Sequence, residues 1–274
     1  MNSMYCPKCK KPLKRVNSSY ICENKHCYDI AKSGYVNLLL PNQMNAKLPG
    51  DNKLMVRARR DFLNKGYYKK LLGELCSSVR KYAVKGGTII DAGCGEGYYT
   101  DGIYDAVKDL GAEVLGVDIS KTALEYAGKR SKDKENLNYA VASVFHIPTA
   151  DKKADMFVTL FAPFCQEETL RVLKKSGILI MVIPAEKHLW ELKSAIYDNP
   201  YLNEEKDYAL NGFELLEVVN CNDTITMDNN EDIMNLFSMT PYYYKTSKEG
   251  SKRVAELKAL TTQIDFDILI YRKL

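Results

Sequence analysis

Residues 88–100 read TIIDAGCGEGYYT, and this stretch decides the fold. A short β-favouring run ends in Asp91, and glycine then recurs at alternate positions, Gly93, Gly95 and Gly97, ahead of a segment with helical spacing. Glycine accepts the tight turn of such a loop and lets a ligand approach the backbone with no Cβ in the way. Dinucleotide enzymes seat a pyrophosphate with G-x-G-x-x-G, whereas the spacing here is G-x-G-x-G with an acid before it. Downstream, EVLGVD ends in Asp118, where a carboxylate would accept hydrogen bonds from two ribose hydroxyls. Working outward, TIIDAG, EVLGVD, LNYAVAS, ADMFVTLF, GILIMVIP, GFELLEVVNCNDTITM and DFDILIYRK read as seven strands. Helical segments near YYTDGIYDAVKDL, SKTALEYAGKR and EETLRVLKK separate the first of them, and DIMNLFSMTPYYY the last two. That alternation predicts an α/β fold with a mostly parallel, Rossmann-like sheet. Two helices precede it. DNKLMVRARRDFLNKG has a cap candidate at Asp51 or Asn52, apolar positions at Leu54, Ala58 and Phe62, and a stop at Gly66; YYKKLLGELCSSVRKYAV follows.

The chain has 274 residues, of which 46% are hydrophobic and 27% charged, as in an ordinary globular protein. Apolar runs such as GILIMVIPA are too short to cross a bilayer, and no apolar signal region follows Met1. The expected location is therefore cytoplasmic, with no membrane partner. A reducing compartment turns clustered cysteines toward metal binding rather than disulfides. Cys6 and Cys9 form a C-x-x-C knuckle, and Cys22 with His26 or Cys27 supplies a second pair after twelve intervening residues. Two such pairs can surround one tetrahedral ion, and four protein ligands leave no open position, so a structural Zn2+ is expected. Cys76, Cys94, Cys165 and Cys221 stand among apolar neighbours and read as small buried hydrophobes.

Charge is uneven along the chain. Residues 1–85 hold 18 Lys and Arg against 5 Asp and Glu, while the remainder is acidic. Lys8, Lys10, Lys11, Lys14, Arg15 and Lys25 lie around the metal pattern, which points to a polyanion held by the front of the chain. Tyr5, Tyr20, Tyr28 and Tyr35 could stack on bases, but in so small a module they read first as core. The pattern divides the chain into a metal-binding, RNA-recognition module at 1–36, a Pro- and Gly-containing linker at 37–50 and an α/β body at 51–274.

The glycine loop with its two acids resembles motif I of class I S-adenosylmethionine-dependent methyltransferases. That cofactor lacks phosphate, so Asp91 can face its methionyl ammonium; Ala142 and Ser143, after the third strand of the body, fall where this fold contacts adenine. With the ribbon in front, the chain resembles the RlmA-type 23S rRNA (guanine-N1)-methyltransferases. The likeness runs through CPKC, YIC, DIAKSGYVNLL, PGDNKLMVRARRDFLNKGYY, DAGCGEGYYT, VDISK, VASVFHIP, FAP at 161–163, HLWELK from His188 and MTP at 239–241. It implies a seven-stranded class I methyltransferase sheet with a small N-terminal zinc-ribbon domain. It also implies zinc ligands at Cys6, Cys9, Cys22 and His26, and cofactor contacts at Tyr68, Gly97, Tyr98 and His188, beside Asp91, Gly93, Gly95 and Asp118. By the same resemblance the partner is a guanine in a stem-loop of 23S ribosomal RNA, with a homodimer as an open possibility. Cys27 beside His26 stays an alternative ligand. Neither His146 nor Glu96 can be preferred as acceptor of the N1 proton. A small-molecule methyltransferase with a purely structural ribbon, and an RNA-binding module without catalysis, are the competing functions.

Overall fold

A computed structural model describes residues 3–43, 50–204 and 207–274. Three short antiparallel strands, β1 (Lys14–Val16), β2 (Ser19–Ile21) and β3 (Cys27–Asp29), make the ribbon. The chain then passes through β4 (Tyr35–Asn37), α1 (Lys53–Asn64) and α2 (Lys69–Tyr82). The body follows as β5 (Thr88–Ala92), α3 (Tyr98–Val107), β6 (Glu113–Asp118), α4 (Lys121–Arg130), β7 (Leu137–Val141), β8 (Ala154–Leu160), α5 (Gln166–Val172), β9 (Leu173–Pro184) and α6 (Trp190–Ile196). It ends with β10 (Phe213–Met227), α7 (Asn230–Ser238), α8 (Tyr242–Lys245), α9 (Lys248–Glu256) and β11 (Leu260–Lys273).

The large sheet has the order β10-β11-β9-β8-β5-β6-β7-β4. Pairings from β9 across to β4 are parallel, and β11 and β10 close the other edge antiparallel. From β5 the chain winds outward through β6 and β7, then returns to the other side of β5 as β8. The crevice at the carboxyl ends of β5 and its neighbours is where an open α/β sheet binds ligands.

The seven expected strands are all present, and an eighth joins them. Tyr35–Asn37, which straddles the expected ribbon module and linker, pairs in parallel with Tyr139–Val141. The boundary drawn after residue 36 thus falls inside β4. Residues 44–49 of the expected linker lie outside the described residues.

Strand alternation sends Ile89, Val114 and Tyr139 to one face of the sheet, in a cluster with Phe62, Leu71, Leu75, Ile103 and Leu124 of helices α1 to α4. Ile90, Leu115, Val117 and Ala140 join the opposite cluster with Met4, Leu13, Tyr20 and Cys22. The ribbon therefore covers part of the sheet as a layer, where many α/β folds use a helix. Hydrogen bonds fasten it: Tyr5 N donates to Pro148 O (2.7 Å), Ser3 N to Glu113 Oε1 (2.9 Å), and Tyr20 Oη to Asn138 Oδ1 (3.0 Å).

Several local readings shift. Asn52 caps α1 by accepting from Met55 N, and Leu54 is exposed, because the buried stripe runs through Val56, Ala58, Phe62 and Leu63. Helix α5 stops at Val172, and the lysines after it belong to β9. Helix α9 was not anticipated, since KEGSKRVAE buries only Gly250 and Val254 and leaves little apolar period to read.

Candidate functional site

The carboxyl edge of β5, β6, β7 and β8 opens into a cavity of about 370 Å³, within the usual range for small-molecule sites. Its wall carries Asp91, Gly93, Gly95, Tyr98 and Asp118 of the predicted set, together with Ser143. Gly93 N and Cys94 N donate to Val117 O at 2.8 and 3.1 Å, so the glycine loop is tied to the end of β6. Two of its glycines answer to different neighbours. Gly93, at φ +84, has no room for a Cβ because Ala162 Cβ would lie 2.3 Å away. Gly95, at φ +56, has nothing within 4 Å of the Cβ position, so the space beside it is free for a ligand. Gly97 instead packs against Ala127 and Tyr139 and starts α3.

Asp118 accepts from Gly95 N through Oδ2 (2.9 Å) and from Ser120 N through Oδ1 (2.7 Å). Each oxygen keeps a second lone pair, which is the arrangement a ribose diol needs. Asp91 is 1% exposed; Oδ2 accepts from Thr100 Oγ1 at 2.6 Å, while Oδ1 is buried with no partner. Burial raises its pKa to about 7, Thr100 opposes the shift and the Asp118 charge adds to it. An unpartnered buried carboxylate oxygen on a cavity wall is costly alone and fits a cationic ligand. These residues therefore suit S-adenosylmethionine: an anion for its ammonium, a diol acceptor, and an open backbone between them.

Two predicted cofactor residues lie one layer back. Tyr68 and His188 are buried and outside the cavity lining. Their rings are 6.4 Å apart, and both pack on Phe266, at 5.2 and 4.3 Å, which in turn meets Phe161 of the wall at 5.3 Å. His188 Nδ1 accepts from Asp265 N (3.3 Å), so the ring proton sits on Nε2; burial, reinforced by the Lys193 charge, lowers its pKa to about 3 and keeps it neutral. Ala142 is buried beside Ser143 without lining the cavity. Of the two proton-acceptor candidates, Glu96 lines the wall, its Oε2 held by Arg130 Nη2 at 2.5 Å and its Oε1 without a partner. His146 is exposed and outside the lining. Sequence reasoning missed Arg59, Tyr99 and Phe145, which also line the cavity, and took Asp51 only as a helix cap, whereas it pairs with Arg59 there. The RARR run was the available signal for Arg59; the aromatics had none.

In the ribbon, the ligand atoms of Cys6, Cys9, Cys22 and His26 all lie within 4.8 Å of one another. Cys6 Sγ and Cys22 Sγ are each 3.4 Å from His26 Nδ1, and Cys9 Sγ is 3.6 Å from Cys22 Sγ. Zinc bonds of about 2.3 Å to sulfur and about 2.0 Å to nitrogen put tetrahedral ligand atoms roughly 3.5–3.8 Å apart, so the set fits Zn2+. Burial pushes the Cys6 thiol up, but hydrogen bonds from Tyr28 and from the backbone at Cys9 and Lys8 outweigh it and bring the pKa down to about 6. Cys27 is exposed at the start of β3 and stands outside this group. Lys8, Lys10, Lys11, Lys14, Arg15 and Lys25 are all exposed, whereas Tyr20 and Tyr28 are turned inward, onto Asn138 and Cys6.

Comparison with known proteins identifies the ribbon and the α/β body. Residues 4–47 match the RlmA N-terminal zinc-ribbon family, and residues 83–241 match a methyltransferase domain family. The 23S rRNA (guanine(748)-N(1))-methyltransferase of Streptomyces fradiae is 35% identical over 70% of this chain and 66% of its own length. A protein of Bacillus subtilis strain 168 with the provisional name 23S rRNA (guanine-N(1)-)-methyltransferase is 30% identical over 98% of this chain and 96% of its own. Among solved structures, a methyltransferase-like protein of Bacillus halodurans has a TM-score of 0.50 at 18% identity, over 74% of this chain and 98% of that one. Geranyl diphosphate methyltransferase in complex with S-adenosylmethionine also reaches 0.50, at 14% identity, over 83% and 93%. These two likenesses concern the fold. With its ribbon, its methyltransferase sheet and a full-length relative at 30% identity, the chain belongs to the 23S rRNA (guanine-N1)-methyltransferase family.

Proposed function

We propose that the protein transfers a methyl group from S-adenosylmethionine to N1 of a guanine in a stem-loop of 23S ribosomal RNA. The observation that carries this reading is the shared core of ribbon and sheet, which holds six exposed cations in fixed relation to the cavity. A small-molecule enzyme would have no use for that arrangement.

The cofactor, when bound, supplies an electrophilic methyl on a sulfonium. Asp91 receives the ammonium, Asp118 the ribose hydroxyls, and the backbone from Gly93 through Gly97 to Tyr98 the space between. Tyr68 and His188 support the wall from behind. Cys6, Cys9, Cys22 and His26 hold Zn2+, whose binding contributes folding energy that a ribbon of this size lacks in its own apolar core. The basic face of the ribbon grips phosphates, and the target base leaves its stack to reach the cavity. Positioning the base nitrogen in line behind the methyl is the main catalytic work. The reading places the protein in the cytoplasm, and a homodimer would bring two ribbons to one RNA.

Incubation with labelled S-adenosylmethionine and an unmodified 23S transcript, followed by nuclease digestion, should release labelled 1-methylguanosine. Label found only in small-molecule extracts would overturn the reading. Sedimentation at assay concentrations checks the dimer.

A further inference from the structure

Along the sheet edge the cavity has a readable order. Ser143 to Phe145 follow β7, Asp118 ends β6, Asp91 lies in β5 and Gly93 follows it. With adenine, ribose and methionine matched to these in turn, the sulfonium that joins ribose to methionine, and the methyl on it, fall between Asp118 and Asp91, on the β5 side of the cavity. The next strand in the sheet is β8, and the residue that follows it is Phe161. We propose that Phe161 is the surface on which the target guanine stacks during transfer, a positioning role that rests on the RNA-methyltransferase reading above.

Phe161 lines the cavity yet is 50% exposed, directly after Leu160, which is 7% exposed. A large ring left half in solvent at a cavity mouth has an apolar face to offer. Its backbone is left-handed, at φ +54, a conformation that disfavours a side chain with a Cβ and persists where the surroundings over-determine it. Those surroundings are visible. Ala162 packs on Gly93 where no Cβ would fit, which locks the segment to the glycine loop. The Phe161 ring rests 5.3 Å from Phe266, and Phe266 is braced by His188 and Tyr68. The exposed face is therefore fixed on the cavity wall by Phe266 and, behind it, by His188 and Tyr68. A base taken out of its helix loses its stacking partners, and an aromatic side chain replaces them whatever the base. Phe145, also 50% exposed, occupies the opposite, adenine end and serves as an internal comparison.

The test uses the full-length zinc-loaded protein, an unmodified 23S transcript and labelled S-adenosylmethionine, with S-adenosylhomocysteine affinity measured by calorimetry. Phe161→Ala and Phe161→Leu should each lower kcat/KM for RNA by roughly ten- to a hundredfold, as expected for the loss of one base–aromatic stack. Phe161→Tyr should restore most of it, and all three should bind S-adenosylhomocysteine within about twofold of wild type, which also shows that they fold. Phe145→Ala should instead weaken S-adenosylhomocysteine. The proposal is overturned if Phe161→Ala stays within about twofold of wild type, if leucine serves as well as tyrosine, or if nucleoside affinity falls in parallel with RNA turnover. A wild type that methylates RNA while Phe161→Ala is unaffected removes the stacking role alone; a wild type that methylates no RNA removes the functional reading and this inference together.

Discussion

Replacing Asp91 by asparagine should make the ligand-free protein more stable and the cofactor bind more weakly, and both effects should depend on pH. In the folded chain burial raises the Asp91 pKa from 3.8 to about 7. The folded state thus binds a proton that the unfolded state has lost, and stability falls as pH rises from about 4 to about 7. At about 1.4 kcal/mol per pKa unit, the ionised carboxylate costs the free protein about 4 kcal/mol by pH 8. Asparagine removes that charge and can still accept from Thr100 through its carbonyl, but it leaves amide hydrogens unpaired at a cost of about 1–3 kcal/mol. The net expectation is a gain of roughly 1–3 kcal/mol at pH 8, or a few degrees in Tm. The gain should shrink toward nothing at pH 5, where wild-type Asp91 is already protonated. Comparing variant with wild type at each pH cancels whatever acid does to the ribbon. Cofactor binding runs the other way. A cationic ammonium selects the ionised carboxylate, so wild-type affinity should rise more than tenfold from pH 5.5 to 7.5 with release of a proton. Asp91→Asn should be flat over that range and weaker by roughly ten- to a hundredfold at its upper end, the value of a charge-assisted hydrogen bond. Calorimetric melts and titrations measure both. A variant destabilised equally at pH 5 and 8, or a wild-type affinity indifferent to pH, would refute the account of Asp91 as a buried acid waiting for a cation.

Chelation of zinc, or Cys22→Ser, should lower Tm and expose part of the core shared by ribbon and sheet, whereas Cys27→Ser should retain one zinc per chain by elemental analysis. Gly93→Ala should be severely destabilising, since its Cβ would stand 2.3 Å from that of Ala162; Gly95→Ala, with an open Cβ position, should cost only about 1 kcal/mol of stability yet crowd the ligand, seen as weaker S-adenosylmethionine binding. Reversing charge at Lys10, Lys11 and Arg15 should raise KM for RNA and flatten its salt dependence while leaving cofactor affinity unchanged, which filter binding across ionic strength will show.

The parts legible in sequence are those whose partners lie close along the chain. The glycine loop announces itself because three alternate glycines and an acid suffice to describe a turn, and the knuckle because C-x-x-C spacing alone aims two thiols at one point. Helix and strand periods likewise report local backbone. His26 and Cys27, by contrast, are adjacent and chemically competent, and only the path of β3 leaves Cys27 in solvent and brings His26 Nδ1 among the thiols. Tertiary structure also decided that Val36 belongs to a strand beside Ala140, that Asp51 meets Arg59 at the cavity, and that Tyr68, His188 and Phe266 form one buried cluster of rings behind Phe161. The same holds for Asp91. Its type and position were plain from the motif, but the unpartnered oxygen and the raised pKa follow from which atoms fill the space around it. Short-range spacing encodes which conformations the backbone can adopt; burial and long-range pairing depend on how the finished layers pack, and no local pattern carries that information.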